Sequence, residues 1–121
     1  MTALLVMAGA AVGAPSRWLL DQLVRGRAGG VFPWGTLGIN VLGSLILGLL
    51  LGASVGRSEP ALVALAGTGF CGGFTTFSSF GFETVRLAEE GDYGQAVLNV
   101  GVSVGLGLAA AFAGWSLGQA I

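Results

Sequence analysis

The chain has 121 residues, 54% hydrophobic and only 9% charged, with 23 glycines, one cysteine and no histidine. A soluble domain carries about a quarter charged residues, so this composition excludes one. A net charge of −1 leaves no basic face for nucleic acid, and the lack of histidine removes the usual base of hydrolase triads and the commonest zinc ligand.

Charged residues are absent from positions 1–16, 28–56, 60–82 and 93–121. An ion at the bilayer centre costs about 3 kcal/mol on insertion scales, and a helix needs about 20 residues to cross the hydrocarbon layer, so these gaps mark membrane spans. The first run reaches that length by including Arg17 and Asp21 near its end, at about Val24. It starts apolar at Met1-Thr2-Ala3-Leu4, without the leading positive charge of a secretory leader, and is expected to be a retained helix. Polar, glycine- or proline-bearing breaks at 25–30, 56–60 and 89–92 separate the spans. Pro60 suits the first turn of the third helix, and Glu59 before it is biased away from helix. The expected fold is all-α and integral to the membrane: a single domain of four transmembrane helices over 1–121. Arg57 on one side against Arg25, Arg27 and Arg86 on the other gives a weak orientation bias. It leaves open both a single orientation and insertion both ways, the second of which permits an antiparallel dimer.

Glycines recur four residues apart at Gly9/Gly13, Gly48/Gly52, Gly69/Gly73, Gly101/Gly105 and Gly114/Gly118, a spacing that lets helices approach closely in lipid. Four such helices enclose little space, so a solute path calls for more than one subunit. In the second helix Thr36, Asn40 and Ser44 fall on one stripe, and in the fourth Asn99, Ser103 and Gly107 repeat the spacing. The amides either join helices by hydrogen bonds or line a polar path. In the third helix Gly72-Gly73 followed by Thr75-Thr76 is poor helix material, and a break is expected there. Freed carbonyls at membrane depth must be buried or hydrated, and can coordinate a hard cation such as Na⁺. Beyond the break Phe74, Phe77 and Phe80 are three residues apart, with Ser78 and Ser79 between the last two. Such a row fills a core or faces lipid; presented edge-on, its rings can instead stabilise a small anion.

The segments Gly13-Ala14-Pro15-Ser16-Arg17, Gly35-Thr36-Leu37-Gly38-Ile39-Asn40-Val41-Leu42-Gly43-Ser44 and Gly69-Phe70-Cys71-Gly72-Gly73-Phe74-Thr75-Thr76-Phe77-Ser78-Ser79-Phe80 resemble the signature stretches of the Fluc (CrcB) fluoride channels. The resemblance implies an antiparallel, dual-topology homodimer in the bacterial cytoplasmic (inner) membrane, with a third helix broken mid-membrane and two pores that export fluoride passively. A central structural Na⁺ at the dimer interface would be held by backbone carbonyls of Gly72 and Thr75. The pore would be lined by Phe77, Phe80, Asn40, Thr36, Ser79 and Ser103, with Arg17 in the vestibule and Glu83 near a pore end. Some relatives carry Tyr and Ser where this chain has Asn99 and Gly107, so the resemblance does not extend to these two positions.

Two other membrane functions fit four helices less well. A proton-coupled drug exporter of the small multidrug-resistance type needs a membrane-embedded carboxylate, and the first helix has none before Asp21. A packing subunit of a larger assembly leaves the polar stripes and the aromatic row without a purpose. Enzymatic use of Cys71 lacks a histidine base, no phosphate-binding GxxxxGK[ST] loop is present, and no enzyme activity is expected.

Overall fold

The computed structural model describes residues 1–27, 30 and 32–121. Among the described residues four helices are long and apolar enough to cross a membrane: Thr2–Arg27, Trp34–Ala53, Pro60–Glu89 and Tyr93–Ala120. The first, α1 (Thr2–Arg27), outlasts the expected end near Val24, because Arg25 Nε binds Asp21 Oδ2 one turn back at 2.9 Å and basic groups suit a helix C-terminus. Positions 28 and 29 of the expected first break lie outside the described residues. The second span is α2 (Trp34–Ala53).

The third span has two helical parts. Helix α3 covers 60–74, with Pro60 in its first turn after a non-helical Glu59 (φ −130°, ψ 61°), as the sequence indicates. Its middle, Val63–Cys71, winds as a wider π-helix, and Gly72–Phe74 returns to α geometry. Helical structure then stops, Thr75 is extended (φ −80°, ψ 161°), and α4 (Ser78–Glu89) begins. The interruption therefore lies at 75–77, a few residues past the Gly72-Gly73 pair, both of which are helical. The break thus falls on the Thr75-Thr76 part of the expected segment, and local and tertiary forces keep the glycines helical. Gly73 packs on Ala10 of α1, where a Cβ would lie 3.1 Å from the Ala10 Cα. The Thr75 hydroxyl donates to the Cys71 carbonyl at 2.8 Å, adding to the backbone bond on the same acceptor.

Helix α4 closes with a Schellman motif: Gly91 N–H donates to Ala88 O and Asp92 N–H to Leu87 O, with Gly91 at φ 85° where a Cβ would be strained. The fourth span, α5 (Tyr93–Ala120), follows at once.

Lipid tails offer helices no hydrophobic reason to associate, so packing rests on close backbone approach. Gly9 and Gly13 lie against the α3 backbone at Leu65 and Phe70, and a Cβ on Gly69 would sit 2.7 Å from the Val6 carbonyl oxygen of α1. Gly48 and Gly52 meet the Ala111 and Trp115 carbonyls of α5, while Gly114 and Gly118 meet the Leu45 and Leu49 carbonyls of α2. The fold is thus built from two glycine-welded pairs, α1 with α3 and α2 with α5. The Gly101/Gly105 pair departs from the expectation: a Cβ on either meets nothing within 4 Å, because both glycines lie on an open face of α5.

Gly114→Ala is expected to lower stability by about 1–3 kcal/mol in equilibrium unfolding in mixed micelles, since the methyl group runs into backbone that cannot yield. Gly94→Ala, in open space, is expected to be neutral or stabilising by up to about 1 kcal/mol through helix propensity. Equal losses in both variants would refute the distinction.

Candidate ion pathway

The interruption at 75–77 exposes peptide groups that a continuous helix would pair internally, and in lipid each needs another partner. Asn40 of α2 supplies it. Its Nδ2 donates to the Thr76 carbonyl and its Oδ1 accepts from the Thr76 N–H, both at 2.8 Å, so one side chain satisfies both polar groups of one residue. In a continuous α-helix the Thr76 N–H would reach back four residues to the Gly72 carbonyl. Its capture by Asn40 removes that donor from Gly72. Thr76 also restarts the helix: its Oγ1 accepts from Ser79 N–H at 3.1 Å, in the manner of an N-cap, and lies 3.2 Å from Ser78 Oγ.

The restarted helix places Phe77 and Phe80 at the edge of an open cavity of about 560 Å³. Their ring centroids are 5.7 Å apart and tilted by 57°. Asn40, Ser44, Thr75, Ser103 and Gly107 line the same space. Phe77 is 82% exposed, so its ring projects away from the rest of the chain.

Towards the far end of α2, the buried Thr36 donates its hydroxyl hydrogen bond to Glu83 Oε1 on α4. Glu83 Oε2 faces Arg25 Nη2 at 3.5 Å, and Arg25 Nε is held by Asp21. Two smaller cavities, of about 330 and 320 Å³, flank this group, and both are lined by Arg25, Glu83 and Arg86.

The residues singled out from the sequence separate into three places. Asn40, Phe77, Phe80, Ser103, Gly72 and Thr75 share the large cavity. Thr36 and Glu83 are joined to each other, and Ser79 lines a cavity with Arg25 and Glu83. Arg17 is half-buried on α1 and lines neither of the two cavities at the charged end. The open question about the two amides resolves differently for each. Asn40 both lines the cavity and bonds across helices, whereas Asn99 is buried and donates to Thr84 Oγ1 at 2.8 Å, joining α5 to α4. Its neighbour in the stripe, Ser103, donates to Asn99 Oδ1 at 3.3 Å. Sequence reasoning missed Arg25 and Thr76. A hydroxyl residue three positions before Ser79 is a helix-start signal that identifies Thr76, and Asp21 four residues before Arg25 is the spacing of an intrahelical ion pair.

An interrupted span beside a largely apolar groove that carries Asn40, Ser44, Thr75 and Ser103 defines a multi-pass membrane protein of the kind that handles small solutes. The family model described as CrcB-like protein, Camphor Resistance (CrcB), matches residues 4–115, and the chain belongs to that family. It is 53% identical over 122 residues to a protein of Streptomyces avermitilis named fluoride-specific ion channel FluC 1, covering 100% of this chain and 98% of the relative. A protein of Frankia casuarinae with the same name is 48% identical over 127 residues, with 100% and 98% covered. The fluoride-specific ion channel FluC of Thermus thermophilus is 46% identical over 120 residues, with 98% and 95% covered. These relatives are named as channels, a class without enzymatic chemistry.

Asn40→Asp replaces the donor to the Thr76 carbonyl with a carboxylate oxygen, which repels it. The expected result is a stability loss of about 1–3 kcal/mol in the same unfolding assay. Unchanged stability would show that the Asn40 contacts with Thr76 do not hold the interruption.

Proposed function

We propose that the chain is a passive, fluoride-selective channel of the bacterial cytoplasmic membrane, working as an antiparallel homodimer with two pores. The observation that carries this reading is the open cavity in which Asn40, Ser44 and Ser103 meet the rings of Phe77 and Phe80. Polar groups along an open groove are costly against lipid tails, and a second copy of the chain lying over the groove would enclose them. The projecting Phe77 ring and the open surface at Gly72 and Gly101/Gly105 suit such a partner. The names of the relatives support fluoride as the ion.

Fluoride holds its hydration shell tightly, so a path for it needs replacement donors along its length. Asn40 has two N–H hydrogens on Nδ2, and one is used on the Thr76 carbonyl. The other is available to an anion in the cavity, at a position fixed by the backbone contact. The hydroxyls of Ser44 and Ser103 extend the row, and the positive edges of the Phe77 and Phe80 rings serve where the path is narrowest. Thr36 and Ser79 continue the polar line towards Glu83, with Arg17 adding positive potential on the aqueous side.

In this reading the interruption at 75–77 lies near mid-membrane, and the carbonyls of Gly72 and Thr75 hold a structural Na⁺ between the two copies. The donor set fits a hard cation: backbone carbonyl oxygens are its usual ligands, and the Gly72 carbonyl lacks the Thr76 N–H as partner. Na⁺ there would neutralise freed carbonyl dipoles and hold the copies together.

The test is efflux from liposomes loaded with potassium fluoride, with valinomycin present and external fluoride followed by an electrode, repeated with potassium chloride. Rapid fluoride release with negligible chloride release is expected, and Phe80→Ile is expected to slow fluoride by about tenfold or more through loss of the ring edge. A correctly inserted dimer that releases no fluoride would overturn the function, and an unaffected Phe80→Ile would remove Phe80 from the path.

A further inference from the structure

We propose that Arg25 is a positioning and charge-compensating residue of the pathway: held by Asp21, it masks the Glu83 carboxylate at the pore end so that an anion can pass. The inference rests on the fluoride-channel reading and adds to it a residue outside the signature segments.

Glu83 poses a physical difficulty for any anion path. Its side chain is only 9% exposed, it lines both cavities at this end, and an uncompensated carboxylate there would repel fluoride. Both of its oxygens are engaged. Oε1 accepts the Thr36 hydroxyl, a neutral group that leaves the charge in place, and Oε2 faces the Arg25 guanidinium at 3.5 Å. Among the described residues no other cation is ion-paired to Glu83: Arg86, three residues along the same helix, lines the same cavities without such a contact, and Arg17 lines neither.

Arg25 is 56% exposed, and its orientation is set by its own helix. Nε binds Asp21 Oδ2 at 2.9 Å, which turns Nη2 towards α4. Asp21 Oδ1 is buried beside Gly35 of α2, where any added side chain would collide with it, so the glycine leaves the room that this arrangement needs. The group thus ties the last turns of α1 and the first turn of α2 to the middle of α4, and places a cation on the acid that borders the path.

Efflux is measured for folded, dimeric Arg25→Gln, Arg25→Lys and the double variant Arg25→Gln/Glu83→Gln. Arg25→Gln exposes the Glu83 charge and is expected to slow fluoride about tenfold. Arg25→Lys keeps the charge and is expected to stay near wild type, and the double variant, which removes both charges while keeping an acceptor for Thr36, is expected to recover most of the rate. A merely structural role for Arg25 would not be rescued by Glu83→Gln. Wild-type speed in Arg25→Gln, or a double variant as slow as Arg25→Gln, would overturn the proposal. Should Arg25→Gln fail to insert, the other two variants decide: both fast supports it, either one slow overturns it. Absence of fluoride release by the wild type is a separate outcome, which refutes the channel reading itself.

Discussion

The fold turns on one constraint, the need to pair the polar groups of the Thr76 peptide unit where no helix does so. Water satisfies such groups in a soluble loop; within a membrane protein another part of the chain must. Asn40 is suited to the task because its amide presents a donor and an acceptor side by side, matching the carbonyl and N–H of one residue outside the helices. That match requires α2 to stand at a fixed height beside the third span. The glycine contacts between α2 and α5, at Gly48, Gly52, Gly114 and Gly118, help fix it. The same contact takes the Thr76 N–H from the Gly72 carbonyl and precedes the turn that sets Phe77 and Phe80 at the edge of the cavity, so packing far from the cavity bears on its geometry.

The polar groups at the opposite end obey the same accounting with charges in place of peptides. Glu83 is buried, and a buried carboxylate is tolerated when it is hydrogen-bonded and paired. Thr36 supplies the hydrogen bond and Arg25 the opposite charge. Thr36 and Asn40, one helical turn apart on α2, therefore brace the two parts of α4 that matter: the acid near its middle and the peptide just before its start. The polar stripe of α2 holds the third span in place as well as lining the cavity.

Much of this is legible in the sequence because membrane insertion is written in composition. Gaps between charges mark the four spans, and the turn residues mark their ends. The rest depends on neighbours distant along the chain. The helix survives Gly72-Gly73 because α1 packs against Gly73, and yields at 75–77 because α2 offers Asn40, and local propensity registers neither. Asn99 and Asn40 look alike as amides in polar stripes, yet Asn99 meets Thr84 and is spent on joining helices. Gly101 and Gly105 share the spacing of the packed glycines but lie on an open face of α5. The Arg25 contact with Glu83 spans α1 and α4, so its two halves have no common motif.

The dual use of Asn40 is the central claim, and it can be observed directly. In protein reconstituted in lipid bilayers, the side-chain amide resonances of Asn40 can be followed by solid-state NMR while fluoride, and separately chloride, is added. One N–H, bonded to the Thr76 carbonyl, is expected to stay fixed, while the other shifts with fluoride and not with chloride. An amide whose two N–H signals ignore fluoride, in a preparation that conducts it, would place the ion path elsewhere.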